Sequence, residues 1–238
     1  MGTVICLLIA VHSAEGILVM TSISAIRTLD VLRLAEDAQR AGASAVLLAS
    51  ISYQAQTNEE VFSLYEQATS SLSIPLCVYE NPGTSHFHFS DELHGRIAEL
   101  PHVHCIKISG VPNDPEAVKT RIKKLREFIP PHVTIGVSGD SFAVTGLNAG
   151  CEAWYSVLSG LFPKTCLKMT RLAQAGLADE AEQPSTLLQP IWLLFHQYGS
   201  LRVASAAAEI SGLISSPVQP LNPSAREHLQ LILKDIQE

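Results

Sequence analysis

The sequence predicts an α/β fold: a TIM-type (β/α) barrel with about six of the usual eight strands and a C-terminal helical appendix. Three observations carry this expectation. Short apolar runs rich in β-favouring residues begin near residues 17, 45, 74, 103, 132 and 152. Amphipathic helical patterns fill the intervals between them, and strict alternation of strand and helix predicts a parallel sheet. No glycine-rich dinucleotide fingerprint or phosphate-binding P-loop follows any of the runs, so a nucleotide-binding doubly wound sheet has no motif behind it.

Taken in order, Val4 to His12 reads as a buried helix end or a strand, and length does not decide between them. Gly16 breaks that segment, and a first clear strand follows over about 17 to 22. Thr28 is expected to cap a helix over 29 to 41, with Leu32, Ala35 and Ala38 on its apolar face and Gly42 as its stop. Residues 45 to 50 (AVLLAS) form a continuous apolar run, as a strand buried on both faces does. Thr57 with Glu60 three residues on makes a capping-box pattern, opening a helix to about Ser71.

The central unit runs from residue 74 to 107 as strand, loop, helix, strand. Its first strand ends at Tyr79, and a Pro82-Gly83 turn follows. Ser90-Asp91-Glu92 caps a helix carrying Leu93, Ile97 and Leu100 at helical spacing. The second strand, from Val103, ends at Lys107. Asp114-Pro115-Glu116 then opens a helix to about Phe128, ended by Pro130-Pro131. Strands over 132 to 137 and 152 to 157 follow, with a short helix to Asn148 between them. Pro163 opens a helix to about Ala175. Helical patterns near 180 to 198, 201 to 211 and 223 to 237 form the appendix, which divides the chain into a barrel domain over 1–178 and a helical extension over 179–238.

The 238 residues are 47% apolar and 16% charged, which suits a packed core and not a disordered chain. A net charge of −7 gives no support for nucleic-acid binding. The apolar start, Thr3 to Val11, has no Lys or Arg before it and is too short to span a bilayer. Five scattered cysteines without a CxxC point to a reducing compartment. The expectation is a soluble, cytoplasmic protein with no membrane partner.

The chemistry is expected at the strand ends. Tyr79 and Lys107 lie one βα repeat apart, each at the C-terminal end of its strand, where a parallel barrel builds its active site. Burying an ammonium costs several kcal/mol unless it finds a partner, and an amine held at such a site is the nucleophile that forms an imine with a ketone. The same position also suits a lysine that snorkels to solvent, and Tyr79 alone suits a core aromatic.

Several stretches, in register, resemble the dihydrodipicolinate synthase / N-acetylneuraminate lyase family of Schiff-base (class I) aldolases. AGASAVLLASISY resembles the family's fourth strand and aromatic loop, and IPLCVYENPGT its fifth strand with a Tyr-x-x-Pro turn. VHCIKIS resembles the sixth strand with the Schiff-base lysine, while VSGDS and GCEAWYSV resemble the seventh and eighth. GSLRVASAAAEISGLISSPVQPLNP resembles the C-terminal helices. The match covers roughly residue 17 to the end, and residues 1 to 16 resemble the end of the second helix.

The resemblance implies a lyase acting on pyruvate or a related 2-oxo acid, with an aldehyde as second substrate. Lys107 would form the imine and Tyr79 would relay protons. Tyr53 falls on a second family tyrosine that reaches a neighbouring subunit's site in some members, and it equally suits a loop aromatic at a subunit interface. Gly139 matches a glycine near bound substrate. A homo-oligomer, dimer or tetramer, is implied, and Schiff-base chemistry requires no metal or other cofactor.

The departures are equally specific. The family's Gly-Ser/Thr-Thr-Gly-Glu motif, which holds the 2-oxo acid carboxylate, does not occur here. An arginine that some synthases use to bind substrate aligns with Thr84, which argues against the dihydrodipicolinate reaction itself. Tyr155 stands where smaller side chains are usual and would narrow the pocket. A second reading follows: a truncated, non-catalytic relative without the carboxylate pocket.

Other constellations are weaker. His86 and His88 have metal-ligand spacing but no fixed third ligand. His102 and His104 flank a strand start, and Asp140 with Ser138 and Ser141 suggests a polar rim. Asp91-Glu92 and Glu59-Glu60 read as carboxylates at helix N-termini.

Overall fold

A computed structural model describes residues 2–112 and 114–236. Its strands are β1 (Met20–Ser22), β2 (Ala45–Ala49), β3 (Leu76–Tyr79), β4 (Val103–Ser109), β5 (Thr134–Ser138) and β6 (Ala153–Tyr155). They form one six-stranded sheet in sequence order. β1 to β4 pair in parallel, with Ala49 opposite Tyr79 and Tyr79 opposite Lys107. Helices separate consecutive strands, so the fold is an incomplete (β/α) barrel, as the strand spacing predicts.

The chain divides into two compact units, Met1–Ser109 with Lys119–Gly136, and Gly110–Val118 with Val137–Glu238. In the first, the opening segment is a helix, α1 (Gly2–Ser13), which resolves the choice left open by its length. Its residues Ile5, Leu8 and Ile9 are exposed, as are Ile17 and Leu18 after it. The first strand is correspondingly shorter than expected, beginning at Met20. α2 (Thr28–Arg40) starts one residue earlier than predicted, and Arg27, with no side-chain cap, stands at its N-cap in place of Thr28.

α3 (Asn58–Ser70) carries the predicted capping box in full: Thr57 accepts from the Glu60 N–H and the Glu60 carboxylate accepts from the Thr57 N–H. Its apolar face, Val61, Leu64, Tyr65 and Ala68, is buried, and the Tyr65 hydroxyl donates to the Leu48 carbonyl at 2.6 Å. A buried phenol paired in this way satisfies a polar group that would otherwise cost a few kcal/mol.

The Pro82-Gly83 turn is a single helical turn, α4 (Pro82–Ser85). α5 (Asp91–Ala98) follows, with Ser90 as the predicted cap accepting from the Leu93 N–H at 3.1 Å. Gly95 is buried on this helix because nothing larger fits: a Cβ there would lie 2.6 Å from the Phe128 carbonyl oxygen. β4 runs two residues past Lys107, so the lysine lies within the strand and does not end it. α6 (Pro115–Arg126) opens where the Asp-Pro signal places it, with the Asp114 carboxylate accepting from the Ala117 N–H at 2.7 Å.

In the second unit, a 3₁₀ turn (Asp140–Phe142) and α7 (Ala143–Asn148) link β5 to β6. α8 (Pro163–Gln174), α9 (Ala178–Leu187), α10 (Gln189–Tyr198), α11 (Ser200–Ile210) and α12 (Pro223–Asp235) complete it. The single helical pattern of 180 to 198 is thus two helices, separated at Leu188. Met169, Leu188, Val203 and Leu229 are among the residues at the centre of this unit's core.

The tight seat of Gly95 makes a testable point. Gly95→Ala must shift α5 away from the Phe128 backbone, an overpacking change expected to cost about 1–3 kcal/mol. Urea unfolding should show a lower midpoint with an unchanged slope.

Candidate active site

Parallel pairing of β3 and β4 builds the site. Side chains alternate across a strand, so the Tyr79↔Lys107 register sets both on one face of the sheet. The Glu80 N–H donates to the Lys107 carbonyl at 3.0 Å, pinning that register at the strand end. Lys107 Nζ lies 4.0 Å from the centroid of the Tyr79 ring, within the range of cation–π contacts. The Tyr79 oxygen accepts a hydrogen bond from Asn81 Nδ2 at 2.9 Å. One row lower on the same face, Cys77 is opposite Cys105.

The other predicted residues divide between the two units. Thr84 sits exposed within α4, its N–H donating to the Asn81 carbonyl at 2.9 Å. Tyr53 lies in the loop after β2 and is 94% exposed. In the second unit, Gly139 has φ +87°, and a Cβ there would meet the Phe142 ring at 2.9 Å, so backbone geometry alone demands glycine. Tyr155 ends β6, half-buried.

Asp140 is a structural lock and not an exposed polar rim. Only 4% exposed, it accepts hydrogen bonds from Ser156 Oγ (2.6 Å) and from the N–H groups of Val157 (3.1 Å) and Leu158 (3.1 Å). It thereby ties the turn after Gly139 to the turn after Tyr155. No group of three metal-ligating side chains occurs among the described residues, so His86 and His88 gain no third ligand. His104 instead stacks edge-on against His132, with centroids 5.9 Å apart.

A partly buried cluster of titratable groups lies on the opposite face of the sheet, and sequence reasoning missed it. Glu80 alternates with Tyr79 and so points away from it, its carboxylate 13% exposed and 4.0 Å from His94 Nε2. His94 is fully buried on α5, stacked on Phe89, and neither ring nitrogen makes a hydrogen bond among the described residues. Asp91 pairs with Arg121 at 2.7 Å and Lys124 at 3.0 Å, so this helix-terminal carboxylate does more than complement a dipole.

Burial pushes Glu80 up from its ordinary range, against the charges of Arg121 and His88. Burial also works against ionisation of Asp91, but the Lys124 hydrogen bond and the Arg121 charge outweigh it and hold that carboxyl low. Burial, reinforced by Arg121, lowers His94 to about 4. A His at i+3 from an acidic first-turn residue was the available signal for this cluster, but it reads equally as a surface position.

The sign of the His94 effect is definite. Its folded pKa lies below the unfolded 6.5, so the unfolded chain takes up the proton first. Stability is then lost as pH falls from about 6.5 towards about 4, by at most about 3 kcal/mol. Glu80, shifted upward, opposes it: its contribution is lost as pH rises above the ordinary glutamate range. Urea midpoints of the parent and His94→Leu should therefore diverge with pH, the variant losing less between pH 6.5 and 4. Parallel pH curves would contradict the buried, neutral imidazole.

Among the described residues no helix is long and apolar enough to cross a membrane. Residues 5–238 match the model of the dihydrodipicolinate synthetase family. The chain is 30% identical to the 4-hydroxy-tetrahydrodipicolinate synthase of Cellvibrio japonicus over 206 residues, covering 86% of this chain and 69% of that protein. It is 25% identical to the Desulfotalea psychrophila enzyme of the same name over 235 residues, covering 96% and 77%. Among solved structures, a dihydrodipicolinate synthase from Agrobacterium tumefaciens aligns with a TM-score of 0.94 at 36% identity, covering 98% of this chain and 80% of that one. With a family match over nearly its whole length and the fold of that family's enzymes, the chain belongs to the dihydrodipicolinate synthetase family.

Proposed function

We propose that the protein is a Schiff-base-forming lyase, an aldolase or hydro-lyase, acting on pyruvate or a related 2-oxo acid with an aldehyde partner. The observation that carries this reading is the Lys107 amine 4.0 Å from the Tyr79 ring on one face of paired strands. A primary amine, a ketone and one proton give an iminium ion and one water. The iminium then withdraws electrons from the adjacent carbon, which is what carbon–carbon cleavage or dehydration requires. Tyr79 serves as the acid and base, since a phenol both donates and accepts hydrogen bonds. Family membership supports the same assignment.

Tyr53, Thr84, Gly139 and Tyr155 are proposed as substrate-binding positions. Thr84 offers a hydroxyl but no bidentate clamp for a second carboxylate, which favours a reaction other than the synthesis named for the curated relatives. A homo-oligomer is supported by the exposed apolar side chains at Ile5, Leu8, Ile9, Ile17, Leu18, Met20 and Ile26, apolar surface of the kind that association covers. A cytoplasmic location is proposed from the cysteine usage. The competing reading is a non-catalytic relative.

Borohydride trapping separates the two. Pyruvate plus borohydride should add a pyruvate-derived mass to the intact protein and none to Lys107→Ala. Tyr79→Phe should still trap the adduct while turnover falls about 10²- to 10⁴-fold, the usual contribution of a positioned acid or base. A folded protein that traps no member of a panel of 2-oxo acids would support the non-catalytic reading.

A further inference from the structure

We propose that Asn81 is a positioning residue that sets the direction of the Tyr79 hydroxyl proton, a role that rests on the imine chemistry proposed above. Asn81 Nδ2 lies 2.9 Å from the Tyr79 oxygen. A carboxamide N–H can only donate, so the phenol oxygen must accept at that point. Its own O–H is thereby left to point elsewhere, and it is free to serve a reacting group beside the Lys107 amine. An acceptor at the same place would capture that proton and leave the phenol unable to deliver it.

The asparagine is held for this task by its own backbone. Its carbonyl accepts from the Thr84 N–H at 2.9 Å, the Ser85 N–H at 2.8 Å and the Ser85 hydroxyl at 3.0 Å. It stands at the N-cap of α4 with φ −149° and ψ 74° and makes no side-chain cap, so its carboxamide remains available to Tyr79. Pro82 follows directly and disfavours the helical conformation for the residue before it. An asparagine two residues beyond a strand end is thus folded back onto the tyrosine on its own face, and the spacing 79, 81 is what makes the contact geometrically direct.

The step in question is exchange at the methyl carbon of bound pyruvate. Once the iminium has formed at Lys107, a C3–H bond breaks, its electron pair forms C2=C3, and the C2=N π pair returns to Nζ. The proton leaves to a base, and reversal in D2O delivers deuterium to C3. Imine formation itself needs Lys107, whereas proton traffic at C3 needs a correctly directed phenol. Damage to Asn81 should therefore separate the two.

Asn81→Ala removes the donor, and Asn81→Asp replaces it with an acceptor of nearly the same shape. Both variants should give the borohydride-trapped pyruvate adduct within about twofold of the parent. Deuterium incorporation into pyruvate, followed by NMR, should slow by about tenfold or more in Asn81→Ala, and Asn81→Asp should be at least as slow despite its closer shape. An Asn81→Asp variant faster than Asn81→Ala would overturn the inference, because shape and not the donated proton would then matter. Equal loss of adduct and exchange would also overturn it, by showing that Asn81 merely holds the fold around the lysine. If the unaltered protein forms no adduct, the imine reading itself fails and this inference falls with it.

Discussion

The site depends on one constraint, the parallel register that sets Tyr79 opposite Lys107. A shift by one residue in either strand would send one of the two side chains to the other face of the sheet. The Glu80 N–H bonded to the Lys107 carbonyl closes that register at the strand end, and Glu80 turns its own side chain toward the opposite layer. The residue following the tyrosine therefore anchors two things at once: the pairing that presents the amine, and a partly buried cluster of titratable groups behind it with His94, Asp91 and Arg121. Partly exposed ion pairs of this kind contribute little net stability, so the cluster reads better as a fixture for the strand than as a reservoir of folding energy.

Much of this was legible in the chain. Six strands, their order and the lysine–tyrosine relation follow from apolar runs at a regular interval, because each βα unit repeats one pattern of burial. Thr57 and Ser90 were legible as helix caps because capping chemistry is local: a hydroxyl satisfies an N–H two or three residues on, and no distant part of the fold alters that. Thr28 failed as a cap for a related reason. The helix began one residue earlier, and boundary residues of neighbouring positions carry similar signals.

What escaped the sequence was tertiary. His94 sits among Leu93, Gly95 and Ile97, and nothing in that string says that its ring will be stacked on Phe89 with both nitrogens unbonded. Asp140 looked like a rim residue because Ser138 and Ser141 flank it; its true partners, Ser156 and the N–H groups of Val157 and Leu158, come from a turn sixteen residues on. Asn81 was visible only as part of a Tyr-x-x-Pro turn, and its link to the Tyr79 oxygen depends on how that turn curls. Long-range polar contacts leave no periodicity, so the residues that tune the site were the least readable ones.

A crystal structure of the protein soaked with pyruvate and reduced with borohydride would show which lysine carries the imine. Imine formation at Lys107 predicts continuous density from its Nζ to C2 of the former pyruvate, with the Tyr79 oxygen within about 3 Å of the reacting atoms. Pyruvate bound elsewhere, density on a different lysine, or an unmodified Lys107 still seated on the tyrosine ring would contradict it.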